Sequence, residues 1–497
     1  MTDHNEDDDM LRLPCALSLT PNRALKRCAL LPTLVAVTWT TPAWSADLLT
    51  ITQDALNHNA ALASARLVTR STESAREAAQ GALLPQINTT GNVAHSRTYE
   101  SQRSNLGGAN PALVSGGDDT INSVNLSLEA TQALFDAIAS REVERAERQI
   151  DQQLYQLAAT EQQLLINVAS AYFEILRAHE LLEARRAQER AIGRQLEQAR
   201  EQFEVGLIAI TEVEEAKAAF DQSRAIRIAA ESDLQVRFEA LERLTGQRYD
   251  SIEALGEAMP VTVPVNDRDY WVALAVEKNP LVLASQAGVE LRRSGLALAE
   301  AQRLPSVNAF ANYNYGDTDA DGVSGYNSDS QLGVSVSLPL YTGGTTTATI
   351  QENTFLLESS QYDFEDQRRE TVQQVRSRYT QVSNDVSTVE AREQAIVSNQ
   401  SALDATRAGY EVGTRNIVDV LNAEQNLYNA IADYASARYD YVINLLTLRQ
   451  QAGTLDVDAL EEVNTWLDGN NVAFTLPEEG SAYDEMINIG EPPQPLR

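Results

Sequence analysis

Phe203-Glu204-Val205-Gly206 returns 207 residues later as Tyr410-Glu411-Val412-Gly413, and Leu84-Pro85-Gln86-Ile87-Asn88 returns 220 residues later as Leu304-Pro305-Ser306-Val307-Asn308. A constant motif order at two offsets means that the chain is one plan written twice, with the longer insertion in the first half, between about Thr98 and Asp119. Each half reads as a helix, two strands, a very long helix, a tight turn and a medium helix. The joint between the halves is the Gly/Pro-bearing segment from Gly246 to Asp269.

The long helices follow from the prolines and from the spacing of apolar side chains. No proline lies between Pro111 and Pro260, or between Pro339 and Pro477, so the helical tracts run uninterrupted. Leu154, Leu157, Leu164, Val168, Ala171, Ile175, Ala178 and Leu182 keep the alternating three-and-four step of a coiled-coil seam, with Glu161 as the one miss. Residues 137–205 predict a rod of roughly 100 Å at about 1.5 Å per residue. Helices over 60–83 and 211–245 predict two shorter rods that can line it end to end. The second half repeats this with 280–303, 417–452 and 345–412. Gly206 and Gly413 end the long helices as glycine C-caps do, and each turn leaves branched aliphatics at a rod's tip: Val205, Leu207 and Ile208, then Val412 and Ile417.

The strands carry a period of two. Leu332, Val334, Val336, Leu338 and Leu340 alternate with Gln331, Gly333, Ser335, Ser337 and Pro339, and Val124, Leu126 and Leu128 alternate with Asn125, Ser127 and Glu129. Val307, Ala309, Ala311, Tyr313 and Tyr315 give a third apolar face, with Phe310 out of register. A soluble sheet shows the same alternation, but nothing else in the chain offers it a core to pack on. About 10 residues per strand suffices to cross an outer membrane at a tilt. Four strands cannot close a barrel, and open edges are not tolerated in lipid, so the chain has to oligomerise.

Composition excludes several functions. With 71 acidic and 39 basic side chains and a formal charge of −32, nucleic-acid binding is not expected. The acidity fits either a heavily solvated surface, as in a salt-adapted organism, or an acidic conduit. The lysines are Lys26, Lys217 and Lys278, and none stands in a phosphate-binding glycine loop. Cys15 and Cys28 both fall in the first 30 residues, where Arg23, Lys26 and Arg27, the apolar run from Cys28 to Trp39, and Ala43 and Ser45 spell an export signal cut after Ser45. His179-Glu180-Leu181-Leu182-Glu183 begins like a metalloprotease helix but lacks the second His, so a solvated helix face accounts for it better. Asp317-Thr318-Asp319-Ala320-Asp321-Gly322 matches the first half of a calcium loop, but position twelve is Ser328. No catalytic constellation, cofactor site or metal site is expected.

Phe203-Glu204-Val205-Gly206-Leu207-Ile208-Ala209-Ile210-Thr211-Glu212-Val213 and Tyr410-Glu411-Val412-Gly413-Thr414-Arg415-Asn416-Ile417-Val418-Asp419-Val420-Leu421 closely resemble the two inter-helix turns of the TolC family of outer-membrane channel-tunnels. The resemblance runs on through Tyr428-Asn429-Ala430 and Ala437-Arg438-Tyr439-Asp440-Tyr441 to Gly453, and the repeat order covers about residues 47–455. It implies an α+β membrane protein that forms, on trimerisation, a 12-stranded β-barrel continued by a 12-helix α-barrel. It also implies an exit duct for a tripartite efflux pump or type I secretion system, partnered by a periplasmic adaptor and an inner-membrane pump or ABC transporter.

By the same resemblance, a periplasmic gate is carried by Tyr410, Arg415, Thr211 and Glu212, and a pore constriction by Asp419 and Asn422. Adaptor docking falls to Val205, Gly206, Leu207, Ile208, Val412, Gly413 and Thr414. Glu212 and Asn422 depart from the family's pattern, which has Asp at both. Local structure explains some of these residues as well: Thr211 with Glu214 reads as a capping box, and Asp419 sits in a first helical turn.

The expected division is a signal peptide (1–45), a first repeat (46–246, hairpin 84–135, long helix pair 137–245), an equatorial linker (247–269), a second repeat (270–453, hairpin 304–342, helix pair 345–452) and a partly disordered tail (454–497). The competing reading is an exported periplasmic coiled-coil scaffold or adaptor, which leaves the four alternating strands unexplained.

Overall fold

The computed structural model describes residues 46–98, 119–256, 259–320 and 323–473. The expected signal peptide, most of the first-half insertion, Asp321 and Gly322 of the calcium-like segment, and the chain beyond Ala473 lie outside the described residues.

In chain order the elements are α1 (Leu48–His58), α2 (Ala60–Gly81), β1 (Gln86–Thr98), β2 (Asp119–Asp136), α3 (Ala137–Glu204), α4 (Ile210–Thr245) and β3 (Ser251–Leu255). There follow α5 (Arg268–Lys278), α6 (Pro280–Ala301), β4 (Ser306–Ala320), β5 (Val323–Ser337), α7 (Thr345–Glu411), α8 (Ile417–Gln451), α9 (Val457–Asn464) and β6 (Leu467–Ala473). The 68-residue α3 is lined by the 22-residue α2 and the 36-residue α4. The 67-residue α7 is lined by the 22-residue α6 and the 35-residue α8. Because α6 and α8 also pack on α3, the helices form one wall, in the order α2/α4, α3, α6/α8, α7.

The sheet repeats that lateral order. β1, β2, β4 and β5 pair antiparallel in sequence, and each joins the helix that holds the corresponding place in the wall. Its apolar face is bare: Val93 is 80 %, Leu332 85 % and Val336 68 % exposed. Phe310, out of register in the sequence, lies on the polar face opposite Gly333, where a Cβ would come within 2.7 Å of its ring. The glycine makes room and the ring covers the backbone it leaves open. β5 stops at Ser337, ahead of Pro339, which has no N–H for a ladder, so Leu338 and Leu340 extend beyond the strand. Residues 317–320 belong to β4 and so are not the loop that their spacing of acids suggests. Asp319 accepts from the backbone N–H of Asn122 and, at 2.6 Å, from its side-chain amide.

The main core gathers at mid-height. Leu164 to Leu182 of α3 and Tyr439 to Leu448 of α8 are wrapped by Leu48 and Ile51, Leu234 and Leu241, Ile252, Val375 and Val382, Leu460 and Val472. The seam expected in α3 is buried from Leu164 onward except for the half-buried Ala171, but Leu154 is 47 % exposed, and Glu161 turns out to Arg66 at 3.4 Å. β3 pairs with β6 in a small second sheet, with Ala46 bridged to Ile252 on its other side. The tail expected from 454 onward therefore includes α9 and a strand: Val472 is buried, and Asn471 to Ala473 are paired with Glu253 to Ser251.

The duplication is visible at the joints where short helices meet. Asn59 ends α1 and caps α2 by accepting from the Leu62 N–H at 3.0 Å, while its amide donates to the Leu244 carbonyl at the end of α4 at 2.9 Å. Asn279 does the same between α5 and α6, accepting from the Leu281 N–H at 2.9 Å and donating to the Gln451 carbonyl at the end of α8 at 2.8 Å. One asparagine thus cross-ties three helix ends in each half.

The two joints differ in room. Gly246 and Gly453 both have positive φ, but a Cβ on Gly453 would meet the Lys278 carbonyl carbon at 2.4 Å, against 3.6 Å to the His58 Cβ for Gly246. Gly453→Ala is expected to cost about 3 kcal/mol from strain and backbone clash, and Gly246→Ala about 1 kcal/mol from strain alone. Denaturant midpoints of the two variants test this; equal losses would mean that the close approach at Lys278 is relieved at no cost.

Candidate functional site

The candidate site is built from the two turns at the free end of the helical wall. α3 and α7 end alike. The Gly206 N–H bonds the Phe203 carbonyl at 2.9 Å and the Leu207 N–H the Gln202 carbonyl at 2.8 Å. The Gly413 N–H bonds the Tyr410 carbonyl at 3.0 Å and the Thr414 N–H the Gly409 carbonyl at 2.9 Å. Both are Schellman closures, and φ values of +78° and +76° require the glycines.

Outside the turns, Val205, Leu207 and Val412 are 71–75 % exposed, an apolar crown at the end of a solvated wall. Ile417 is not part of it: the residue is buried with Ile192, Leu196, Ala199, Val213, Ala216 and Leu421 in a small core beneath the turns, and Ile208 packs on the same cluster.

Tyr410 leans across from α7, packs against that cluster, and donates its hydroxyl to Gln202 Oε1 of α3 at 3.0 Å. Burial pushes its phenol above the usual range, and the charge of Glu212 in the first turn of α4 adds to the shift, so the hydroxyl stays protonated and a donor. Arg415 reaches Asp419 at 3.8 Å, and its backbone N–H and that of Thr414 converge on the Gly409 carbonyl. A Cβ at Gly409 would lie 2.9 Å from the Arg415 side chain, so glycine permits this close approach. Asp419 is also part of a capping box: its N–H bonds Asn416 Oδ1 at 2.8 Å, and its Oδ2 accepts from the Asn416 N–H at 3.4 Å. Asn422, one turn on, is exposed beside a cleft of about 340 Å³ shared with Glu215, Gln222 and Gln425.

Thr211 is exposed at the second position of α4, whose N-cap is Ala209 with no side-chain bond, so the capping box expected of Thr211 and Glu214 does not form. The structure therefore brings together Tyr410 with Glu212 and Arg415 with Asp419, and leaves Thr211 and Asn422 apart from them. Gln202 was missed on sequence. Its one signal is positional: at the 207-residue offset it is the counterpart of Gly409, so the first half supplies an amide where the second needs space.

The metalloprotease-like run serves the mid-height core. Glu180 accepts from the Tyr439 hydroxyl at 2.5 Å and faces Arg438, while Glu183 pairs with Arg186 at 2.8 Å. Burial pushes the His179 imidazole below its usual range against the pull of both carboxylates, so it is neutral at pH 7. Among the described residues no group of three His, Cys, Asp or Glu could hold a metal ion, and no helix is long and apolar enough to cross a membrane.

The family model for outer membrane efflux proteins matches residues 51–247 and 271–454, the two repeats on either side of the joint. The chain belongs to the outer membrane efflux protein family. Among curated relatives, the outer membrane protein TolC of Vibrio cholerae is 36 % identical over 447 residues, covering 88 % of this chain and 98 % of that one. The alkaline protease secretion protein AprF of Pseudomonas aeruginosa is 32 % identical, covering 68 % and 71 %. Among solved structures, the channel CusC superposes with a TM-score of 0.70 at 17 % identity, over 83 % of this chain and 93 % of that one, which is a likeness of fold.

An outer membrane efflux protein is a channel and not an enzyme, so this chain is an outer-membrane exit duct of the kind that serves efflux or type I secretion. Its bare apolar sheet face is the lipid side, and its helical wall extends from there into the periplasm. The competing reading as an exported scaffold has no support among the relatives.

Proposed function

We propose that three copies of the chain close a single pore, with twelve strands in the membrane and a helical barrel below it, and that the inner end is gated by the two turns. The observation that carries this is the pair of unfinished edges. Among the described residues β1 and β5 each have a partner on one side only, in a sheet one of whose faces is apolar and exposed. In hydrocarbon every unpaired N–H and C=O costs several kcal/mol, so closure through further copies removes the penalty. The helical wall has matching flanks: Leu67 and Val68 on α2 and Phe355 and Tyr362 on α7 are exposed at opposite edges.

At the inner end, Tyr410 and Arg415 tether the turns with Thr211 and Glu212 as their α4 partners, Thr211 acting on a neighbouring copy. Asp419 and Asn422 line the constriction. The apolar crown of Val205, Leu207 and Val412, seated on Ile208 and with Gly206, Gly413 and Thr414 shaping the turns, docks a periplasmic adaptor that joins the duct to an inner-membrane pump or ABC transporter. The name of AprF supports secreted protein as one cargo.

Light scattering on detergent-purified protein is expected to give a trimer mass, and planar bilayers small cation-selective steps, because acids far outnumber bases. A monodisperse monomer released by osmotic shock would overturn the assembly. Photocrosslinking from Leu207 and Val412 is expected to trap an adaptor with a coiled-coil hairpin; crosslinks confined to mid-height positions would move the docking site.

A further inference from the structure

α8 is tied to both neighbours by polar rungs along its length. Toward α7 they are Asn444 with Asp385 at 2.8 Å, Asp433 with Arg392 at 2.8 Å and Glu424 with Arg407 at 2.7 Å. Toward α3 they are Asp440 with Arg177 at 2.7 Å, Asn429 with Arg185 at 2.8 Å and Glu424 with Gln195 at 3.3 Å. Glu424 is the rung at which the two rows converge, and it is the one nearest the turns. Its side chain is fully buried, beside the cluster of Leu403, Val420 and Leu427, whereas the Asp433 and Asp440 carboxylates are half exposed.

The bonding at Glu424 is unfinished. Arg407 Nη2 and Gln195 Nε2 both point at Oε1, while Glu424 Oε2 and Arg407 Nε are dry and have no partner among the described residues. Nε and Nη2 are the two teeth of the side-on guanidinium fork, and a carboxylate normally takes both. Here one tooth is engaged. Completing the fork would bring Oε2 to Nε, and Gln195 competes for the oxygen already in use.

We propose that Glu424, held jointly by Arg407 and Gln195, is a positioning residue that registers α8 against both α3 and α7 and so sets how tightly the inner end closes. The proposal rests on the reading of the turns as the gate. It assigns to the buried pin what the surface bonds at Tyr410 and Arg415 cannot do alone, namely fixing the height of α8 relative to its neighbours.

The test compares single-channel conductance in planar bilayers with thermal unfolding of the detergent trimer. Four variants of the full chain are compared: Arg407→Met, the apolar pair Arg407→Met/Glu424→Leu, Arg407→Lys, and the tip variant Arg415→Ala/Tyr410→Phe. Arg407→Met is expected to raise conductance at least threefold while lowering the unfolding temperature. The apolar pair, which removes the stranded charge, is expected to recover the unfolding temperature and keep the raised conductance, because packing returns but the directional bond to Gln195 does not. Arg407→Lys, which keeps one charged tooth, is expected to stay near wild-type conductance.

If the apolar pair restores both stability and conductance, Glu424 is only structural and the proposal falls. Should Arg407→Met fail to assemble, the apolar pair alone decides in the same way. A tip variant that opens beside an apolar pair that does not would refute the pin and leave the gate in place. An apolar pair that opens beside a silent tip variant would support the pin and remove the tether assignment. No change in either would overturn both.

Discussion

Arg415→Ala combined with Tyr410→Phe increases single-channel conductance several-fold and leaves the unfolding temperature of the assembly where it was. The expectation follows from what these two side chains contribute and where. Tyr410 makes one hydroxyl bond, to Gln202, and its ring packs on the tip core; phenylalanine keeps the packing and removes only the bond. Arg415 is 61 % exposed and meets Asp419 at 3.8 Å, a pair worth about 0–1 kcal/mol to stability once solvent screening is counted. A neutral hydrogen bond adds about 1 kcal/mol. Losses of that size are small for a large assembly, yet tethers at the free end of rods roughly 100 Å long act where a small angular change produces a large displacement. Recordings of the double variant indistinguishable from wild type would remove both residues from the gate.

Asn422→Asp strengthens block by a trivalent cation such as hexamminecobalt at least tenfold. In the proposed three-fold assembly Asp419 would place three carboxylates round the constriction, and Asn422, one helical turn along, would add three neutral amides. Converting those amides to carboxylates doubles the ring charge that a multivalent cation meets. Tenfold corresponds to about 1.4 kcal/mol, modest for three added charges near a narrow aqueous path. The converse experiment has to respect the capping box at Asn416. Asp419→Ala would remove the carboxylate's return bond to the Asn416 N–H along with the charge, while the Asn416 cap on the residue-419 N–H stays, so Asp419→Asn, which keeps an acceptor for that N–H, is the cleaner loss of block. Titrating the cation against current in the three proteins decides the matter; block indifferent to residue 422 would turn that side chain away from the pore and into its cleft with Glu215 and Gln425.

Much of the architecture was legible because it is written in residues with few alternatives. Gly206 and Gly413 mark the helix ends since no other residue takes a φ near +77° cheaply, and period-two runs such as Leu332 to Val336 mark a sheet face with nothing to pack on. What escaped was set by distant partners. The helix expected over 60–83 begins where α2 does, but α1 ahead of it was not read, and the joint between them at Asn59 is fixed by a carbonyl 185 residues away at the end of α4. β3 and β6 are short, without clear alternation, and pair across more than 200 residues, so a terminal strand looked like a tail. At the tip, the residues carried over from the family resemblance were the polar ones in the turns. Gln202 and Glu424 matter through what lies opposite them on other helices, and no local pattern marks either.

The order of strands and helices across the wall is the same, and this has a kinetic consequence for biogenesis. A chain that slid into the bilayer alone would carry the bare ladders of β1 and β5 into hydrocarbon, while each helix rigidly attached to its strand would already have taken its place in the wall below. Partner-finding cannot follow insertion; it has to precede or accompany it. The yield of functional ducts should then depend steeply on how many chains meet in the periplasm at one time. A cell that makes this protein slowly would accumulate stranded, protease-sensitive monomers, however stable the finished assembly is.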